Sequence, residues 1–288
     1  MAKRKRDLGI MDIPLSCSLF MEQAYYRWRP YVVPLSTDMQ EYIHEWNLAL
    51  VDVMRMACMR PYLGGIGQQL IDGTLRSDRY LSSCLEHAAN VPMHSLHYAL
   101  RFTEGVNFLA NKIEQNPKLS FVDLGAGLSP MAAAVQTEYN IGNAYIIDVP
   151  EITDAYIRTA ELVGGRVPRA ITWDAAKELA VSHKMDAIVA LGVLHYMDIE
   201  EQIRRLQFIN AHIPSFLLEV KYNNNSKTAG QNTFDLQRLQ SLRMLVSNTQ
   251  TLETTMIKNS LQYLTSFIRA MPDRKYFLQN DRSLFFSR

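Results

Sequence analysis

FVDLGAGLSP, residues 121–130, is the stretch on which the fold turns. Phe121, Val122 and Leu124 make an apolar strand, and Gly125 and Gly127 follow at once. Ser129 and Pro130 then read as a helix start: serine caps free amides, and a proline at the first helical position gives up a donor that would be unpaired there. Strand, glycine bend and helix within ten residues are the first half of a βαβ unit. The bend lets the backbone approach a ligand closely, and the helix N-terminus is expected to offer free amide donors beside it.

Downstream the pattern repeats. Apolar runs at 144–148, 169–173, 186–193 and 215–221 alternate with helical stretches at 129–139, 151–163, 175–182 and 198–212. Strands separated by crossover helices predict an α/β, doubly wound, mainly parallel sheet covered on both faces. After a polar loop at 223–233 come a helix near 235–248 and apolar segments near 251–270. RKYFLQ and RSLFFSR then flank Asn280 and Asp281 as a closing antiparallel C-terminal hairpin.

Upstream the rhythm is helical. In 36–65, STDMQEYIHEWNLALVDVMRMACMRPYLGG, the residues Met39, Tyr42, Ile43, Trp46, Leu50, Val53 and Met54 recur at three and four, one face of a helix, and Pro61 with Gly64 ends the run. Thr37 and Gln40 fit a capping box. Further helices are expected near 77–89 and 95–115. The expected organisation is an N-terminal helical cap or lid over 1–116 and a Rossmann-like domain over 117–288. Ahead of the first helix, AYYRWRPYVVP (24–34) crowds Tyr25, Tyr26, Trp28 and Tyr31 between prolines in an extended segment. These rings either pack onto the body or wall a substrate pocket.

Composition narrows the function classes. With 48% hydrophobic and 20% charged residues over 288 positions, the chain is an ordinary soluble globular protein, and no apolar run approaches the roughly 18 residues of a membrane span. MAKRKRD carries four bases and one acid, a net +3 that leaves −2 for the rest of a chain whose total is +1. Such a body neutralises phosphates poorly, which argues against a nucleic-acid partner. Asp7, Asp12 and Pro14 interrupt what would be a signal peptide's apolar core, so the expected location is cytoplasmic. Cys17, Cys58 and Cys84 show no CxxC spacing, and His94 and His97 have no third ligand in view, so no metal is expected.

Two cofactor classes use such a glycine bend. A dinucleotide fingerprint needs a third glycine where this chain has Pro130. S-adenosylmethionine (SAM) has no pyrophosphate to seat on the helix and suits an acid two residues before the first glycine, here Asp123. Asp148 closes AYIID, where a carboxylate can accept both hydroxyls of a ribose in either class. Asp174 closes ITWD, where it could receive the adenine amino group while Trp173 flanks the ring. Both acids are also placed to cap helices, and Trp173 also suits a core.

These motifs resemble the class I SAM-dependent methyltransferases. FVDLGAGLSP is similar to their glycine motif, YIIDVPEI to their ribose-binding acid, TWDAA to their adenine-side acid, and DAIVALGVLHYMD to their fourth strand and its loop. The resemblance covers 118–222, more loosely the residues beyond, and none of 1–110. It implies a seven-stranded-type sheet, SAM as co-substrate, and cofactor contacts from Asp123, Gly125, Ala126, Gly127, Asp148, Val149, Trp173 and Asp174. Arg101 is placed to pair with the methionyl carboxylate of SAM, or to form a surface ion pair.

Within that class, IDVPEI resembles the "DLPxV" of small-molecule O-methyltransferases, and VLHYMDIEEQ their "LHDWSDEEC", whose histidine is a general base. Carried over, that residue is His195, although Tyr196 and Met197 replace the Asp-Trp pair. The resemblance implies methyl transfer by in-line displacement to an oxygen or nitrogen of a small, secondary-metabolite acceptor. Three alternatives stand beside it: cyclisation of the aminobutyryl arm of SAM with release of methylthioadenosine, a ribosomal-RNA methyltransferase, and a SAM-binding protein without catalysis.

Overall fold

The structure, a computed structural model, describes residues 35–56, 92–223, 250–251 and 281–288. The aromatic segment 24–34, the three cysteines, the helices expected near 77–89 and 235–248, and the RKYFLQ arm lie outside the described residues. Along the chain come α1 (Thr37–Met56), α2 (Pro92–Gln115), β1 (Ser120–Leu124), α3 (Met131–Glu138), β2 (Asn143–Ile147), α4 (Pro150–Val163) and β3 (Arg169–Ala170). There follow α5 (Trp173–Val181), β4 (Ala187–Ala190), a 3-10 turn (Leu194–Tyr196), α6 (Ile199–His212), β5 (Ser215–Asn223), β6 (Gln250–Thr251) and β7 (Asp281–Ser287).

The strands make one sheet in the order β3-β2-β1-β4-β5-β7-β6. β1 to β5 are parallel, whereas β7 runs antiparallel to β5 and carries β6 on its other edge. The chain thus has the expected α/β fold, a mainly parallel sheet flanked by helices. Its order departs from the 3-2-1-4-5-6 of dinucleotide-binding sheets by an antiparallel strand between the fifth and sixth positions. Of the expected C-terminal hairpin, the 281–287 arm is β7.

By packing, the chain forms two compact units. α1, the first half of α2, α3 and α4 belong to one; the rest of α2, the strands, α5 and α6 belong to the other. In the first unit, α1 lays its apolar face on α4 and α3. Met39, Ile43, Trp46, Leu50 and Val53 are buried on that face, as the three-and-four spacing predicts, and Tyr42 is half-buried at its margin. The cap of α1 is Ser36 rather than Thr37. Its hydroxyl accepts the Met39 amide at 3.1 Å, while the Gln40 side chain donates to the Leu35 carbonyl at 3.0 Å.

In the second unit, alternate residues of the central strands face one core. Val122 and Leu124, Ile188 and Ala190, and Phe216, Leu218 and Val220 pack with Ala176 and Ala180 of α5 and Leu206 and Ile209 of α6. Because β1 is buried along its whole length, its acidic member, Asp123, has no solvent-facing side to retreat to.

Arg288 closes this unit. Its guanidinium donates to the carbonyls of Asn210 at 2.8 Å and Ile213 at 2.7 Å and to Asn210 Oδ1 at 3.1 Å, and it stacks 4.7 Å from the centroid of the Phe216 ring. A cation here satisfies carbonyls that the end of α6 leaves unpaired. Replacing it by Met, which keeps the apolar stem, should lower stability by about 1–3 kcal/mol in urea denaturation. Unchanged stability would mean that water replaces the guanidinium at no cost.

Candidate functional site

The sheet order reverses at β1, which has β2 on one side and β4 on the other. At such a switch point the connections diverge and leave a crevice beyond the carboxyl ends of the strands. Gly125 stands at the end of β1 with φ +72°, and its amide donates to the Ile147 carbonyl at 2.7 Å, carrying the β1–β2 pairing one residue further. A Cβ on Gly125 would overlap the side chain of Val193, from the turn after β4. The close approach expected at this glycine is therefore made by Val193, a protein side chain. Gly127, two residues on, also turns with positive φ, at +58°.

Beside this contact stand two carboxyl groups. Asp123 lies in register between Ile146 of β2 and Val189 of β4 and is 3% exposed. Its Oδ2 atom has no hydrogen-bond partner among the described residues. Asp148 is the residue after β2, half-buried and engaged within the protein. Burial, and then the negative charge of Asp148, push the Asp123 carboxyl up to about 8. Near neutral pH it is mostly protonated, a neutral acid with an unmatched oxygen.

The helix after the glycine loop differs from expectation. Pro130 rather than Ser129 stands at the cap of α3, and the Ser129 hydroxyl accepts the Met131 amide at 3.4 Å. The Ala133 amide donates to the Tyr156 hydroxyl of α4 at 3.0 Å, and the Ala134 amide to the Pro130 carbonyl at 2.7 Å. Of the amides expected to be free for a ligand, those of Met131 and Ala133 are thus bonded within the protein. A phosphate seated on this helix would have to displace the tyrosine hydroxyl, which agrees with the missing third glycine.

The other candidates are placed as follows. β3 ends at Ala170, and Thr172 caps α5 by accepting the Ala175 amide at 3.2 Å, so Trp173 and Asp174 are helix residues and do not close a strand. The Trp173 ring meets Phe208 edge to face at 5.8 Å and lies 4.6 Å from the Arg205 guanidinium, both on α6. Asp174 is exposed and paired with Lys177 at 2.6 Å, which holds its carboxyl below the usual carboxylate range. His195 sits in the 3-10 turn after β4, half-buried, its ring 4.3 Å from that of the exposed Tyr196. Ala126 is buried, Val149 is exposed at the cap of α4, and Arg101 on α2 is half-buried and engaged within the protein. Tyr25, Tyr26, Trp28 and Tyr31 lie outside the described residues. Among the described residues no group of three or more His, Cys, Asp or Glu could hold a metal ion, and no helix is long and apolar enough to cross a membrane.

No family model and no curated protein sequence matches the chain. Its solved structural neighbours include three methyltransferases. Magnesium protoporphyrin IX methyltransferase of Synechocystis PCC 6803, with bound S-adenosylhomocysteine (SAH), is 13% identical over 67% of this chain and 86% of its own, with a TM-score of 0.41. A SAM-dependent methyltransferase of Geobacter sulfurreducens in complex with SAH is 14% identical over 64% and 89%, at 0.40. Phosphoethanolamine N-methyltransferase 2 of Haemonchus contortus in complex with SAM is 12% identical over 63% and 51%, at 0.40. Likeness this distant assigns no activity to this chain.

Val193, Trp46 and Tyr156 are the side chains at this loop that sequence patterning passes over. Val193 was expected inside a strand, which in fact stops at Ala190; the glycine before it, Gly192, is the signal of a bend. Two outcomes follow. Gly125→Ala should cost about 2–4 kcal/mol, through overlap with Val193 and the positive φ, whereas Gly142→Ala, whose Cβ meets nothing within 4 Å, should stay within about 0.5 kcal/mol of wild type. Equal urea midpoints for the two variants would refute the contact. The second concerns pH. Because the folded carboxyl of Asp123 is raised, the native state binds the extra proton, so stability should fall as pH rises from about 4 and level off above about 8, by on the order of a few kcal/mol. Asp123→Asn should remove that slope; a slope kept in full would place the titration elsewhere.

Proposed function

We propose that the chain is a SAM-dependent methyltransferase acting on an oxygen or nitrogen of a small molecule. The observation that carries this reading is the unmatched buried oxygen of Asp123, at a topological switch point whose second acid is Asp148. A ligand suited to this rim supplies hydrogen-bond donors and positive charge. SAM has both, in its ribose hydroxyls, its ammonium group and its sulfonium, and the residues present fit it. When bound, it supplies an electrophilic methyl group on a positively charged sulfur.

The chain's own residues do the rest. Asp148 accepts ribose hydroxyls and Asp123 takes up donors at the amino-acid arm, while Gly125, Ala126 and Gly127 are assigned to backbone contacts with the cofactor. Asp174 and Trp173, at the start of α5, are assigned to the adenine side; the Asp174–Lys177 pair is exposed, and such pairs are worth little, so it competes weakly for that carboxylate. His195, on the turn after β4, is assigned to accept the proton of a hydroxyl acceptor at a ring nitrogen. In-line displacement needs acceptor and methyl group held collinear at near-contact distance, so positioning is the larger part of the work. The leaning to O-methylation rests on the VLHYMDIEEQ motif around His195.

Calorimetry with SAH tests the reading. Wild type should bind, and Asp148→Ala should bind at least about tenfold more weakly, as expected for loss of a charged hydrogen-bond acceptor. Equal affinities would remove the cofactor assignment. In turnover, SAH as product marks methyl transfer, whereas methylthioadenosine would mark cyclisation of the arm instead.

A further inference from the structure

The glycine loop is fastened by two aromatic side chains from distant parts of the chain. The Trp46 indole, fully buried on α1, donates its Nε1–H to the Leu128 carbonyl at 3.0 Å. Tyr156, fully buried on α4, receives the Ala133 amide at 3.0 Å. The two rings meet edge to face, with centroids 4.8 Å apart and planes at 64°. One stacked pair therefore grips the segment at both ends, at Leu128 just after the glycines and at the first turn of α3.

We infer that Trp46 is a positioning residue for the cofactor loop: by holding the Leu128 carbonyl it fixes the backbone between Gly127 and Ala133 in the form that binds SAM. The inference rests on the SAM reading above. Gly125 and Gly127 both adopt positive φ, and glycine has more backbone freedom to lose than any other residue, so a loop built on them is costly to order at the moment of binding. A tie made beforehand reduces that cost. If the loop holds its binding form only part of the time, the apparent dissociation constant rises by the inverse of that fraction. Leucine or phenylalanine would fill the space at position 46 as an apolar residue, but only tryptophan adds a donor that reaches the carbonyl.

The test uses the full chain and three variants. Trp46→Phe keeps an aromatic ring and loses the donor. Tyr156→Phe does the same for the α3 amide and guards against a Trp46 variant that fails to fold. Val53→Ala, on the same buried face of α1 seven residues along, loosens packing without touching the loop. The SAH dissociation constant, the urea midpoint and amide hydrogen exchange over 125–134 are read for each. Trp46→Phe should raise the dissociation constant about tenfold and speed exchange over 127–133, with Tyr156→Phe moving both in the same direction. Val53→Ala should lower the midpoint and leave affinity within about twofold. Unchanged affinity in Trp46→Phe, or affinity falling in step with the midpoint in all three variants, would overturn the inference and leave the SAM reading standing. Should wild type bind no SAH, that reading fails, and the tie is then judged by exchange: acceleration confined to the loop in Trp46→Phe supports it, and unchanged exchange refutes it.

Discussion

Where a parallel sheet changes the direction in which its strands are added, the chain must leave the two central strands by diverging routes, and the ends of those strands come close with nothing regular between them. Here that gap is governed by the contact between Gly125 and Val193. Each partner constrains the other. Gly125 can take its positive φ and extend the pairing to Ile147 only without a side chain, and Val193 can lie against it only because none is there. Asp123 and Asp148 owe their adjacency to the same register, since the pairing of Asp123 with Ile146 leaves Asp148 two residues further along the chain, just past the end of β2.

That geometry sorts ligands by charge. One acid is buried in a strand with no polar match for its outer oxygen, and a second stands close enough to raise its proton affinity. An anion at these strand ends would meet repulsion from Asp148, whereas a ligand with hydroxyl or ammonium donors would meet the unmatched oxygen of Asp123.

What the sequence made legible was periodic. The three-and-four spacing in 39–53 located the buried face of α1, and the apolar runs located β1, β2, β4 and β5 to within a few residues, because both patterns record burial directly. The caps were less legible. Neighbouring polar residues compete for the same role, and the winner depends on backbone angles: Ser36 prevails over Thr37, Thr172 over Asp174, and Pro130 stands where Ser129 was expected. β3 is shorter than its apolar run suggests, because Ile171 only bonds its amide back to Ile146 before Thr172 starts the helix. Least legible were contacts between residues far apart in sequence. Trp46 reads as one more apolar residue in a stripe, and nothing local marks its bond to a carbonyl 82 positions on.

Such long-range ties give α1 a part in the loop itself. It contributes a donor to the loop and meets, edge to face, the tyrosine that bonds the first turn of α3, so the form of the loop depends on α1 being folded. The buried indole has reason to stay: away from Leu128 its N–H would be a polar group without a partner in an apolar face, at a cost of about 1–3 kcal/mol. That penalty couples the packing of the helix to the course of the glycine loop, and any change that lets α1 shift on α4 is felt first where the backbone has the least side chain to resist it.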